Sequence, residues 1–263
     1  MTNTSDFLKV TRNGQILEIV LDRPKANTLD APLSRVMSQL FADFRDDPTL
    51  RVAILTGAGS KFFCAGWDLN AVAEGEEYLE DFGEGGFAGF PEMTSLYKPV
   101  ICAVNGLAVG AGFEMLLRAD FVLAAEHAEF YLPEVRIGVA PDVATFMLPK
   151  LLPRTKAMEI LMAGRRQSAA ELERHGLINE VVPAEQLMER ARALAADLLK
   201  AAPLSLAAIK EAVLMTEKLS FTESYAALRA RTWPKFMQML ESSDAQEGAK
   251  AFVEKRDPDW IGQ

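Results

Sequence analysis

Two glutamates in this chain follow turn-like stretches in apolar surroundings. Asn105 to Glu114 is rich in glycine (Gly106, Gly110, Gly112), follows an apolar run and opens a helical pattern that carries Glu114. A strand, a glycine turn and a helix start present backbone N–H groups to an anion. Glu134 follows Pro133 in the run Phe130 to Gly138. A third run, Phe62 to Leu69, holds the small residues Ala65 and Gly66, which let a ligand approach the main chain. If the chain turns there, the N–H of Trp67 is free to donate.

Two carboxylates and a pair of backbone donors can add or remove water beside a thioester carbonyl. The thioester makes the α-proton removable, two amides hold the enolate oxygen, one carboxylate handles the α-proton and the other handles the water. Singly, each feature has an ordinary structural explanation. Glu114 can be a carboxylate favoured by a helix N-terminus, Glu134 a loop partner of Arg136, and Phe62 to Leu69 a tight loop around a buried Cys64. Other bases are scarce. The two histidines, His127 and His175, have no metal-ligand spacing and read as surface or turn residues. The glycine run is not a GxGxxG and no P-loop lysine follows it.

The elements that must position these residues are short apolar runs alternating with helical patterns. Ile16 to Leu21, Val52 to Thr56, Val100 to Val104, Phe121 to Ala125 and Glu180 to Val182 read as strands. Runs this apolar indicate strands buried on both faces under helices. Each chemical stretch follows one of them, where α/β ligand sites form. Asp30 to Phe44 has apolar residues at helical spacing and an Asp30 cap. From about Ala184 the pattern is helical: Ala184 to Leu199, Leu204 to Met215, Phe221 to Leu240 and Ser243 to Phe252. The reading is a strand–helix core over residues 1–200 and a helical region over 201–263. The acidic, glycine-rich run Gly75 to Phe90 reads as a mobile surface loop.

The chain has 263 residues and a net charge of −9, which disfavours nucleic acid and anionic membranes as partners. The two cysteines, Cys64 and Cys102, form no framework and suit a reducing cytoplasm. Met1 to Phe7 lacks an apolar signal core, and no apolar run approaches the roughly 18 residues of a membrane span.

Four motifs together resemble the crotonase (enoyl-CoA hydratase/isomerase) superfamily over essentially the whole chain. They are Arg23-Pro24-Lys25-Ala26-Asn27-Thr28-Leu29, with the asparagine one place early; Phe63 to Leu69; Lys98 to Gly106; and Phe252, Lys255 and Arg256 on the last helix. Within the superfamily, Gly66-Trp67-Asp68-Leu69, Gly85-Gly86-Phe87-Ala88-Gly89 and Glu254 to Pro258 are most similar to the carnitinyl-CoA dehydratase subgroup.

The resemblance implies an α/β spiral of repeated ββα units with a C-terminal helical trimerisation region, assembled as a homotrimer or a dimer of trimers. It implies reversible hydration of a 2-enoyl-CoA, with carnitinyl-CoA and crotonobetainyl-CoA as the preferred pair, and no cofactor beyond the CoA moiety of the substrate. A general short-chain enoyl-CoA hydratase and a non-catalytic CoA-binding scaffold are the alternatives. Glu114 and Glu134 become the acid–base pair, and the N–H groups of Trp67 and Ala111 the oxyanion donors. Ala65, Gly66, Trp67, Asp68, Leu69, Asn70 and Gly110 line the thioester and pantetheine arm. Lys25 and Ala26 meet the nucleotide end of CoA, and Phe252 and Lys255 lie where a neighbouring subunit helps bind it.

Two departures stand out. Position 111 is alanine where the family usually has glycine, an added cost of about 1 kcal/mol if the backbone there is left-handed. Val143-Ala144-Thr145-Phe146 replaces a common glycine pair after Asp142. The subgroup's substrate carries a trimethylammonium group, which aromatic faces attract. Trp67, Phe87, Phe90, Tyr97 and Tyr131 are the candidates to meet it.

Overall fold

A computed structural model describes residues 5–263. The chain forms two compact units, Met1–Ala195 and Ala196–Gln263.

The first unit is built on two sheets. Its elements in order are β1 (Leu8–Asn13), β2 (Ile16–Leu21), α1 (Ala31–Asp46), β3 (Val52–Gly57), β4 (Phe62–Cys64), α2 (Leu69–Ala73), β5 (Val100–Val104), β6 (Leu107–Val109), α3 (Ala111–Leu116), β7 (Phe121–Ala125) and β8 (Glu129–Tyr131). A 3-10 turn, Glu134–Arg136, leads to α4 (Val143–Leu151), α5 (Arg154–Ala163), β9 (Gln167–Ser168), α6 (Ala169–Arg174), β10 (Glu180–Val182) and α7 (Leu187–Leu199). The six-stranded sheet has the order β1-β2-β3-β5-β7-β10, and the four-stranded sheet β4-β6-β8-β9.

From β3 to β8 successive strands alternate between the sheets, so β3 with β4, β5 with β6 and β7 with β8 each make one turn of a spiral. This is the strand–strand–helix repeat expected from the sequence. The large sheet is parallel from β2 to β10, and only β1 runs antiparallel, against β2. Every residue of β3 and β5 is buried, which explains their unbroken apolar runs. The five strands expected from the sequence are present, with β3 one residue longer. α1 is capped by Asp30, whose Oδ1 accepts from the Leu33 amide at 2.9 Å.

The chemical stretches come after β3, β5 and β7, as expected, but their site loops leave from short strands of the small sheet. These are β4, β6 and β8, each three residues long. These three pair in parallel, so their C-terminal ends lie side by side. Adjacent strands lie about 4.8 Å apart, which gathers the three following loops within about 10 Å.

The run Gly75 to Phe90 is irregular, as expected, but it is pinned rather than free at the surface. The amides of Gly85 and Ala88 donate to Ser38 Oγ and Ser34 Oγ on α1, at 2.8 and 3.2 Å. Arg35 donates to the Asp81 carbonyl at 2.8 Å, and Phe82 and Phe90 are buried.

The second unit continues with α8 (Pro203–Thr216), α9 (Phe221–Arg229), α10 (Pro234–Glu241) and α11 (Ser243–Glu254). The helix expected over Phe221 to Leu240 is two helices. Arg231 adopts φ +58°, and Pro234 starts α10, where its missing N–H costs nothing.

Candidate active site

The loops after β4, β6 and β8 line one cavity of about 510 Å³. The loop after β4 brings Ala65, Gly66, Trp67 and Leu69; the loop after β6 brings Val109, Gly110 and Ala111; the loop after β8 brings Pro133 and Glu134. α3 adds Glu114, and the segment before α4 adds Pro141, Asp142 and Val143.

Two glycines set the spacing. A β-carbon on Gly66, at φ +81°, would lie 2.7 Å from the Val109 carbonyl oxygen and 3.4 Å from the Ala111 nitrogen. Only a bare Cα lets the two loops approach this closely. The approach sets Gly66, the residue before Trp67, against the Ala111 amide. Leu29 bonds to both neighbours of Trp67: its amide donates to the Gly66 carbonyl, and its carbonyl accepts from the Asp68 amide. That bridge pattern turns the N–H of Trp67 away from Leu29. Ala111 is the first residue of α3, where an amide has no intrahelical acceptor. The left-handed residue of this turn is Gly110, at φ +54°, not Ala111, so alanine at 111 carries no backbone penalty.

Glu114 is buried on α3, and its Oε1 accepts from the Ala144 amide at 2.9 Å. The start of α4, where the sequence departs from a glycine pair, thus carries the backbone amide that orients this carboxylate. Burial, together with Asp142 and Glu134 nearby, pushes Glu114 up to about 8. Glu134 starts the 3-10 turn after β8. A β-carbon on Gly110 would lie 2.8 Å from Glu134 Oε1, and Glu134 Oε2 is buried without a hydrogen-bond partner. Burial pushes Glu134 up to about 6. A buried carboxylate oxygen without a partner, facing a cavity, suits a group that accepts a proton from a ligand.

The site's architecture is held from behind. Asn27, at φ +53°, donates from Nδ2 to the carbonyls of Ala58, Phe62 and Phe63 at 3.1 to 3.2 Å, and its Oδ1 accepts from the Arg23 amide. Gly112 packs so closely that a β-carbon would meet the Cys64 carbonyl oxygen at 2.2 Å. Asp68 caps α2 and pairs with Arg23 at 3.1 Å.

Asp68, Asn70, Lys25 and Ala26 are not in the cavity lining. Phe252 and Lys255 belong to the second unit, Phe252 exposed on α11 and Lys255 at its C-cap. Of the five aromatic candidates, Trp67 and Phe87 line the cavity. Phe90 packs on Phe41 in the core, and Tyr131 lies under Arg166. Tyr97 is not in the lining.

Sequence reasoning missed Tyr78, Phe82, Glu80, Glu92 and Asp142, which all line the cavity. Asp142 had a legible signal, since Pro141-Asp142 before a helical pattern reads as an N-cap, and its Oδ1 accepts from the Val143 amide at 2.5 Å. The others lie in an aperiodic stretch that gives no facing pattern. His127 and His175 are exposed and outside the site. Among the described residues no cluster of metal ligands occurs, and no helix is long and apolar enough to cross a membrane.

The family model described as enoyl-CoA hydratase/isomerase matches residues 11–263. The chain is 53% identical over 260 residues to a carnitinyl-CoA dehydratase of Salmonella typhimurium, covering 98% of this chain and 100% of that one. It is 52% identical over 259 residues to one of Salmonella arizonae, covering 98% and 99%. Among solved structures it is similar to an enoyl-CoA hydratase of Mycobacterium tuberculosis H37Rv, with 34% identity, a TM-score of 0.89, and 98% of this chain and 100% of that chain covered. An enoyl-CoA hydratase of Bacillus anthracis gives 31% identity and a TM-score of 0.87, covering 98% and 100%.

Proposed function

The chain belongs to the enoyl-CoA hydratase/isomerase family, and from that premise we propose that it is a hydro-lyase interconverting carnitinyl-CoA with crotonobetainyl-CoA and water. The observation that carries the chemistry is the convergence of Glu114, Glu134 and the Trp67 and Ala111 amides on one cavity.

The steps follow from the protonation ladder. At neutral pH Glu134, near 6, is mostly ionised and Glu114, near 8, mostly protonated. The two amides hold the thioester oxygen as negative charge develops. Glu134 takes the α-proton, the electron pair forms the double bond, and the β C–O bond breaks. The hydroxyl leaves with the proton of Glu114 as water. Proton exchange with solvent then restores both carboxyls. Hydration is the reverse. No group beyond the CoA of the substrate takes part.

The acyl assignment is supported by the cavity lining. It holds four aromatic rings, Trp67, Tyr78, Phe82 and Phe87, and the carboxylates Glu80, Glu92, Glu134 and Asp142 beside the protonated Glu114, with no lysine or arginine. Ring faces and carboxylates favour a quaternary ammonium. The relatives named carnitinyl-CoA dehydratase point the same way. As part of the same reading, the chain works in the cytoplasm, where its free, buried Cys64 and Cys102 stay reduced. It assembles as a homotrimer or a dimer of trimers, which covers apolar residues left exposed in the second unit, among them Ile209, Val213, Phe221 and Phe252. Turnover of crotonobetainyl-CoA and crotonyl-CoA, measured side by side, tests the assignment. Faster hydration of crotonyl-CoA contradicts it and favours a general short-chain hydratase.

A further inference from the structure

Trp67 has two ends that face different parts of a thioester. Its amide is fixed through the Leu29 bridge, and Gly66, the residue before it, lies against the Ala111 amide. Its ring lies in the cavity wall, 5.7 Å from the ring of Tyr78 and 5.6 Å from that of Phe87. Phe87 in turn meets Phe82 edge-on at 5.0 Å. The ring is held by a residue that does not itself line the cavity. The indole N–H donates to Glu76 Oε1, while Glu76 Oε2 accepts from the Ala31 amide at 2.8 Å. Ala31 is the first residue of α1, so Glu76 also anchors to a helix start. The Glu76 amide donates to the Ala71 carbonyl at 3.0 Å, which fixes the carboxylate from the main-chain side too.

We propose that Glu76 is a specificity-determining positioning residue: by clamping the Trp67 indole to the start of α1, it sets the ring against Tyr78 and Phe87 as a platform for the cationic end of the acyl group. The inference rests on the acyl end assigned above. The amide of Trp67 is set by the Leu29 bridge and its ring by Glu76, so the two functions of Trp67 separate physically. Removing Glu76 frees the indole to turn about its side-chain torsions and leaves its N–H to water. The bridge that aims the amide stays. The effect is therefore directed at the far end of the acyl group. A residue serving only the stability of the loop would weaken all thioesters alike.

The test uses two thioesters that lack the 3-hydroxyl and are not turned over, 4-trimethylammoniobutyryl-CoA and butyryl-CoA. Their dissociation constants are measured by calorimetry on wild type, Glu76→Ala and Glu76→Gln. The preference for the cationic thioester falls about tenfold in Glu76→Ala, equivalent to about 1.4 kcal/mol. Glu76→Gln keeps part of it, because its single carbonyl oxygen accepts from the indole while its NH2 faces the Ala31 amide and cannot accept. Equal weakening of both ligands in Glu76→Ala, or an unmoved preference, overturns the role of Glu76. If Glu76→Ala does not fold, Trp67→Phe breaks the same bond from the other side while keeping an amide and a ring. The same drop is expected, and an unmoved preference overturns the proposal. A wild type that binds both without preference overturns the acyl assignment and this inference together. A wild-type preference that survives Glu76→Ala overturns the inference alone.

Discussion

Gly110 lies directly beneath Glu134: a β-carbon at position 110 would come within 2.8 Å of Glu134 Oε1. The same glycine holds φ +54° at the N-cap of α3. One residue thus allows the carboxylate to lie over the turn that carries the Ala111 amide. Gly110→Ala is expected to fold, with about 1–3 kcal/mol of added backbone strain from φ +54° and ψ −125°, and to displace Glu134. Misplacement of about 1 Å costs on the order of 100-fold in rate. Steady-state kinetics on crotonobetainyl-CoA check this, and a loss under fivefold would show that Glu134 does not depend on this contact.

The protonation ladder fixes a pH profile. Dehydration of carnitinyl-CoA needs Glu134 ionised, which fails as pH falls through about 6, and Glu114 protonated, which fails as pH rises through about 8. The profile of kcat/KM should be a bell with limbs near those values. Glu114→Gln removes a group that can lose its proton, so any residual activity should lose the alkaline limb and keep the acid one. A residual profile with the alkaline limb in place assigns that limb elsewhere.

The same residue makes a stability prediction with a definite sign. The folded-state value of Glu114 lies above its unfolded value of 4.5, because burial disfavours the charged form. Its contribution is fully present below pH 4.5 and is lost as pH rises through about 8. Glu114→Gln should therefore leave the melting temperature nearly unchanged at pH 5 and raise it at pH 9. Each kcal/mol is worth about 2–4 °C at the upper end of single-domain sizes. Thermal melts at the two pH values decide it. An equal shift at both would mean that the carboxyl's charge does not matter to the fold.

Much of this was legible because burial on both faces writes itself into composition. β3 and β5 are apolar at every position or nearly so, and their bounds could be read to within a residue. Glu114 and Glu134 stood out only in combination, through the scarcity of other bases, the apolar strands before them and the family resemblance. The small sheet was not legible, since three-residue strands such as Phe62–Cys64 carry no period. That is why the short strands that lead straight into the site loops were not foreseen. Tyr78 and Phe82 were missed for a related reason. Gly75 to Phe90 folds through hydrogen bonds to Ser34 and Ser38, dozens of residues away in the chain, and local sequence holds no record of them. Conversely, Trp233-Pro234 could have announced the break between α9 and α10.

Asn27 offers a test of how the oxyanion loop is held. Its Nδ2 serves three main-chain carbonyls, and its φ of +53° suits asparagine better than most residues. Asn27→Ala strands buried carbonyls and adds left-handed strain, and should cost about 2–4 kcal/mol. Chemical denaturation measures it, and a cost under 1 kcal/mol would mean that the loop holds itself.

The central claim is that Glu114 and Glu134 together carry the hydration step. Its most direct test is the hydration rate of crotonobetainyl-CoA by Glu114→Gln, Glu134→Gln and the double variant, each shown to be folded by circular dichroism. Each single change should lower kcat about 10²–10⁴-fold, and the double variant should fall well short of the product of the two losses, because the pair acts as a unit. A folded single variant that keeps its rate within tenfold of wild type contradicts the claim.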